Sequence, residues 1–142
     1  MKTTELPIKL EGILFARTGS EIKYLVLHRR PEEGNFWQPL TGTLESNESI
    51  IECLYREIEE ELGLSKTDII NLTDEVYRFE WKRDEQTILE FVYGVELNFN
   101  QQIILSSEHD EHKWCNFEEA ISILGRENNK KAFEAFRSKV NY

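Results

Sequence analysis

The residue types that could do chemistry crowd between positions 42 and 64, GTLESNESIIECLYREIEEELGL. Ile51, Leu54, Ile58 and Leu62 recur at i, i+3, i+7 and i+11, the stripe of an amphipathic helix. At about 100° per residue, Glu57 falls near 0°, Glu60 near 300° and Glu61 near 40°. Three carboxylates therefore share one arc beside the apolar stripe, while Glu52 and Glu59 fall on the far side and read as solvated surface. Like charges at i, i+3 and i+4 repel one another by a few tenths of a kcal/mol per pair, roughly. A hard divalent cation relieves such repulsion, because Mg²⁺ takes carboxylate oxygens and leaves its other positions to water and substrate phosphates. The arc thus has the chemistry of the protein half of a metal–phosphate site.

The spacing around the arc is more specific. Gly42, Glu48, Arg56-Glu57-Ile58, Glu60-Glu61 and Gly63-Leu64 stand at every fixed position of the pattern G-x5-E-x7-R-E-U-x-E-E-x-G-U, with U a bulky aliphatic. Such a match arises by chance about once in a million at this chain's own composition. The chain resembles a Nudix hydrolase. Outside this box, Phe36-Trp37-Gln38 followed by Thr41-Gly42 resembles the FWQ-x-x-TG run of bacterial dihydroneopterin triphosphate diphosphatases, also known for hydrolysing dATP. The segments Glu108-His109 and Lys113-Trp114, with Asn129 and Phe136, resemble the same group's C-terminal half. Two positions depart from the family's usual form. Proline stands one place early, at Pro39, and Asn47 replaces the glycine before the first box glutamate.

The resemblance implies an α/β/α sandwich with a mixed β-sheet and a loop–helix–loop box. It also implies a Mg²⁺-dependent pyrophosphohydrolase, with Mn²⁺ as a substitute cation. The expected substrate is dihydroneopterin triphosphate or a dATP-like triphosphate, cut to a monophosphate and pyrophosphate. A dinucleoside-polyphosphate hydrolase and a catalytically silent Nudix-fold binding module are the alternatives. Carried over by position, Glu57, Glu60 and Glu61 are the metal carboxylates and the Thr41 carbonyl an extra ligand. Glu48 and Arg56 form the ion pair that shapes the box, and Gly42 and Gly63 serve the loop conformations at its ends. Family members differ on which carboxylate is the base, and Glu57, Glu60 and Glu108 are the catalytic candidates here.

Residues beyond the box read two ways. Glu108 is either a surface acid or a fourth metal ligand or base supplied from a loop. Arg29 and Arg30 are a solvated strand end or phosphate contacts. Trp37 and Trp114 are core residues or stacking platforms for a substrate ring. His109 and His112 read as surface or packing residues.

These groups must be positioned by the rest of the chain. Residues 8–17 and 22–29 read as two strands joined at Thr18-Gly19-Ser20, a hairpin. Residues 75–81 and 87–97 read as two more, with a polar tip at 82–86, and residues 112–115 as a short one. Ser46 or Asn47 is the expected cap of the box helix and Gly63 its left-handed end. Asn116, with Glu119 three positions on, starts a helix near 117–124. A last helix near 129–140 carries Phe133, Phe136 and Val140 on one face. Strands mixed with three helices predict a mixed sheet covered on both faces.

Length and charge bound the rest. The 142 residues suit a single domain, taken as residues 1–142. The formal charge of −10 excludes a phosphate-coating nucleic-acid binder and a polybasic membrane-surface protein. The expected partner is a small phosphoanhydride substrate, with the oligomeric state left open. Cys53 and Cys115 lack the spacing of a disulfide framework or a zinc site, and two isolated thiols fit a reducing cytoplasm. The start, MKTTELPIKLEG, has no apolar leader-like run, and no window approaches a transmembrane span.

Overall fold

The computed structural model describes residues 7–140. Residues 1–6, part of the stretch read for a leader, lie outside the described residues. The seven strands are β1 (Ile8–Thr18), β2 (Glu21–Arg29), β3 (Trp37–Gln38), β4 (Leu40–Thr43), β5 (Ile69–Arg83), β6 (Gln86–Leu97) and β7 (His109–Cys115). The helices are α1 (Ile50–Leu62), α2 (Phe117–Ile123) and α3 (Glu127–Lys139).

The strands form one mixed sheet, in which β1 runs parallel to β6 and the other pairings are antiparallel. Strand β1 is the organising element. Its first half pairs with β4, its second half with β2, and its other edge with β6. Alternation along a strand sends successive side chains to opposite faces. Leu10 and Leu14 accordingly join Leu54, Ile58 and Leu62 of α1 in one core, while Ile13 and Phe15 join Phe133 and Phe136 of α3 in another. The expected α/β/α sandwich is the observed fold. Among the described residues no helix is long and apolar enough to cross a membrane.

Several boundaries differ from the sequence expectation. The box helix is capped by Ser49, not Ser46 or Asn47. The Ser49 hydroxyl accepts from the Glu52 amide and Glu52 reaches back to the Ser49 amide, a full capping box. Asn47 instead turns the preceding loop with φ 65°, a region asparagine tolerates. Ile51 is 40% exposed and Ile50 packs against the core in its place. The buried face of α1 holds Cys53, Leu54, Glu57, Ile58, Glu61 and Leu62, so two carboxylates sit within that face rather than beside it. Strand β5 begins six residues earlier than periodicity suggests, because irregular register between Ile69 and Tyr77 hides its alternation. Strand β7 begins at His109, which is buried.

Candidate active site

The box helix lies against β4, and Gly42 meets Glu57 there. A Cβ on Gly42 would overlap the Glu57 side chain and come within 2.6 Å of its Oε2. Gly42 has ordinary extended backbone inside β4. Its expected role as a loop conformer is therefore corrected: the position needs space for a carboxylate, not a special φ. Gly63 does adopt the left-handed conformation, φ 70°, and ends α1 by donating to the Glu59 carbonyl.

Arg56 is the hub of the box. Its guanidinium donates to both Glu48 oxygens, at 2.7 and 3.0 Å, and to the Thr43 carbonyl at 3.1 Å. These bonds pull the Glu48 carboxyl down to about 2, helped by the Glu45 amide. The same guanidinium reaches Glu57 at 2.8 Å and Glu60 at 3.2 Å. Arg56 thus ties the loop to two of the arc carboxylates, a wider role than the single ion pair expected of it.

The three arc carboxylates sit in different surroundings. Burial pushes the Glu57 carboxyl up to about 7 against the pull of Arg56, with Glu60 and Glu61 adding to the rise. Glu60 lies at the rim, exposed. Glu61 is 7% exposed and accepts from Ser106 Oγ at 2.7 Å and His109 Nδ1 at 3.0 Å, both on Oε2. Burial raises the Glu61 carboxyl, but these two donors outweigh it and hold the group below its ordinary range. The ring tautomer follows from the far side of His109. Gln38 Nε2, a donor only, meets His109 Nε2 at 3.1 Å, so Nε2 accepts and Nδ1 carries the proton toward Glu61.

His109 is the functional neighbour that sequence reasoning placed on the surface or in packing. It is 3% exposed and joins β3 to α1 through Gln38 and Glu61. The signal for it was its place beside Glu108 after a loop, which does not reveal the long-range contact. Glu108 itself is exposed. Its amide donates to Ser106 Oγ at 3.3 Å, the same hydroxyl that holds Glu61, which sets Glu108 next to the box.

The donor set fits a hard cation: all three arc groups are carboxylates, and Gly42 leaves room for one of them. They are nevertheless not drawn together. Among the described residues the trio whose potential ligand atoms lie within 4.8 Å of one another is His28, Asp110 and Glu111. That trio is closed on itself by a 2.8 Å His28–Asp110 bond. On α1, Arg56 draws Glu57 and Glu60 one way while His109 and Ser106 draw Glu61 the other.

Beside the box opens a cavity of about 490 Å³. Thr41 and Gln38 line it, and each is one step from a box carboxylate: Thr41 precedes Gly42, and Gln38 reaches Glu61 through His109. In a chain of net charge −10 its wall is cationic, with Lys9, Arg29, Lys82, Arg83 and Arg126 against Glu33 and Glu90. Arg29 therefore lies on the cavity wall, although its Nε also donates to the Glu33 carbonyl at 2.7 Å. Arg30 does not line the cavity. Its Nε turns to the Ser107 carbonyl at 2.7 Å. Trp37 does not line it either, since its ring packs on His28 with centroids 5.0 Å apart. Trp114 likewise packs away from it, against Phe99. Phe36 and Trp81 supply the aromatic surface that Trp37 was expected to offer.

A mixed sheet between two helical layers, with this box on α1, defines a Nudix domain. The NUDIX domain model matches residues 12–136, and the chain belongs to that family. Its relatives are diverse. It is 22% identical over 145 residues to dihydroneopterin triphosphate diphosphatase of Escherichia coli strain K12, covering 95% of each chain. The structure of the E. coli dihydroneopterin triphosphate pyrophosphohydrolase matches with TM-score 0.80 at 22% identity, over 94% of this chain and 96% of that one. Asymmetrical bis(5'-nucleosyl)-tetraphosphatase of Caenorhabditis elegans is 26% identical over 119 residues, 82% of this chain and 84% of that protein. A C. elegans Ap4A hydrolase binary complex matches with TM-score 0.83 at 20% identity, over 94% and 97% of the two chains. A stretch of Myxococcus xanthus octanoyltransferase is 36% identical over 110 residues, 75% of this chain, and the chain spans only 30% of that protein.

Proposed function

We propose that this chain is a Mg²⁺-dependent pyrophosphohydrolase that cuts a nucleoside-triphosphate-like substrate, dihydroneopterin triphosphate or dATP-like, to a monophosphate and pyrophosphate. The observation that carries the reading is the pairing of the box carboxylates with a cationic cavity in an acidic chain. Glu57, Glu60 and Glu61 would hold the cation, with the Thr41 carbonyl and Glu108 as further ligands. Mg²⁺ bound there supplies neutralisation of phosphate oxygens and makes water easier to deprotonate.

The chain's own residues account for the rest. Arg29 and the other cavity cations hold the polyphosphate. Arg56 keeps the Glu57 and Glu60 carboxylates oriented, and Glu48 keeps Arg56 in place. The proton of the attacking water goes to Glu57, Glu60 or Glu108. Glu61 is the poorest acceptor, since both its donors occupy Oε2 and stabilise it as the anion. In this reading residues 1–142 work as one domain, and the buried free thiols of Cys53 and Cys115 fit a cytoplasmic setting. A dinucleoside-polyphosphate hydrolase is the second reading, supported by the 26% identity to the C. elegans tetraphosphatase. A substrate screen tests both: nucleoside triphosphates, a pterin triphosphate and dinucleoside tetraphosphates, each with Mg²⁺, Mn²⁺ or chelator. Cation-dependent turnover of a triphosphate is expected. No turnover of any compound with either cation would overturn the reading.

A further inference from the structure

One buried group is used neither by the core nor by the box chemistry. Glu11, on β1, is 0% exposed, and neither of its carboxyl oxygens has a hydrogen-bond partner among the described residues. A buried polar group without a partner is costly. Across the sheet Glu11 stands opposite Thr41, and Lys9 precedes it by two on the same strand face. Both of those residues line the cavity, as does Glu90. Glu11 is therefore buried next to lining residues of the cavity without lining it itself.

Glu90, on β6, is 4% exposed and accepts from Trp81 Nε1 at 2.9 Å. Burial pushes the Glu11 carboxyl well above the usual carboxylate range, and the neighbouring Glu90 charge adds to the rise. Glu90 is raised mainly by burial, with Trp81 and Lys9 pulling it back. Around them stand Phe36, Phe79 and Trp81, with the Arg126 guanidinium 4.7 Å from the Phe36 ring centre. Asn129, 5% exposed, adds an amide to the lining.

We propose that Glu90, set in place by Trp81, reads the 2-amino-4-oxopyrimidine edge shared by guanine and pterin, with the ring held among Phe36, Phe79 and Trp81. The proposal rests on the hydrolase reading and narrows its substrate. The edge offers two adjacent N–H donors, at the ring nitrogen between the oxo and amino carbons (N1 of guanine, N3 of pterin) and at the 2-amino group, which suit the two oxygens of one carboxylate. Adenine turns an acceptor, N1, toward the same carboxylate, so one lone pair faces another. The volume, about 490 Å³, lies within the range of small-ligand pockets. The cationic rim leads the phosphates from this ring toward Thr41 and the box.

The test uses monophosphates, which the proposed reaction does not consume. Affinities of the full chain for GMP, AMP and neopterin monophosphate are measured by calorimetry without added metal. GMP or neopterin monophosphate is expected to bind at least about 10-fold tighter than AMP, the discrimination typical of a paired polar edge. The tighter of the two names the source of the ring. Glu90→Gln should shrink the advantage over AMP to roughly 3-fold or less, because a carboxamide accepts at one atom only. Should Glu90→Gln fail to fold, Trp81→Phe keeps the aromatic wall, removes the N–H that orients Glu90, and should cut the advantage several-fold. AMP binding as tightly as the other two, or a ratio unmoved in both variants, overturns the proposal. Equal affinities beside intact triphosphate hydrolysis would sink this inference alone. A clear preference without any hydrolysis would sink the catalytic reading alone.

Discussion

Replacing Gly42 with alanine isolates the geometry of the box carboxylates from their charge. The new methyl would overlap the Glu57 chain and stand 2.6 Å from Oε2. Normal contact requires Glu57 to retreat by about 1 Å, a misplacement that costs roughly 10²-fold in rate at a reacting centre. That corresponds to about 2.7 kcal/mol of lost transition-state stabilisation. Folding should barely register the change. Gly42 has no positive φ, so alanine gains about 0.4–1 kcal/mol through the unfolded chain. An off-rotamer Glu57 costs a similar amount, about 0.5–1.5 kcal/mol. The net shift in Tm is expected within about 3 °C. The assay pairs steady-state turnover under saturating Mg²⁺ with thermal melting. Wild-type turnover in Gly42→Ala would refute the placement of Glu57. A collapse of Tm would show that Gly42 serves the fold instead.

Glu60→Gln and Glu61→Gln should each lose roughly 10²-fold or more in turnover, while Glu59→Gln, exposed on the other side of α1, keeps it; equal losses at Glu59 and Glu61 would contradict the assignment. Glu108→Ala should lower turnover clearly and leave Tm within a few degrees, as exposed substitutions usually do; wild-type rates would make Glu108 a plain surface acid. Glu48 titrates near 2 in the folded chain against an ordinary carboxylate value of about 4.3 unfolded. Its contribution to stability is therefore present above about pH 4.3 and lost as pH falls toward 2. Wild-type protein should lose more Tm between pH 5 and pH 3 than Glu48→Gln, and parallel curves would remove Glu48 from the account.

The box was legible because its chemistry is local. Thirteen helical residues place Glu57, Glu60 and Glu61 at fixed angles, and a wheel reads those angles from the sequence. The layered fold was legible from the change of period between strands and helices. What stayed hidden depends on contacts far apart in the chain. His109 gains its role from Gln38 and Glu61, 71 and 48 positions away. Trp37 reads from the sequence as a core residue or a stacking platform, and pairing with His28 turns its ring out of the cavity and leaves that surface to Phe36 and Trp81. The placement of Glu90 in the cavity wall and of Glu11 beside it had no sequence signal. Glu11 sits in an aliphatic strand where period-2 reading assigns faces but cannot tell a core from a cavity.

The products identify the bond that breaks. A triphosphate accepted in the screen is incubated with Mg²⁺ and no added pyrophosphatase, and products are separated by chromatography at early times. Monophosphate and pyrophosphate in equal amounts, abolished by chelator, are predicted. Orthophosphate appearing first, or a dinucleoside tetraphosphate cleaved much faster than any triphosphate, would contradict cleavage of a triphosphate to monophosphate and pyrophosphate.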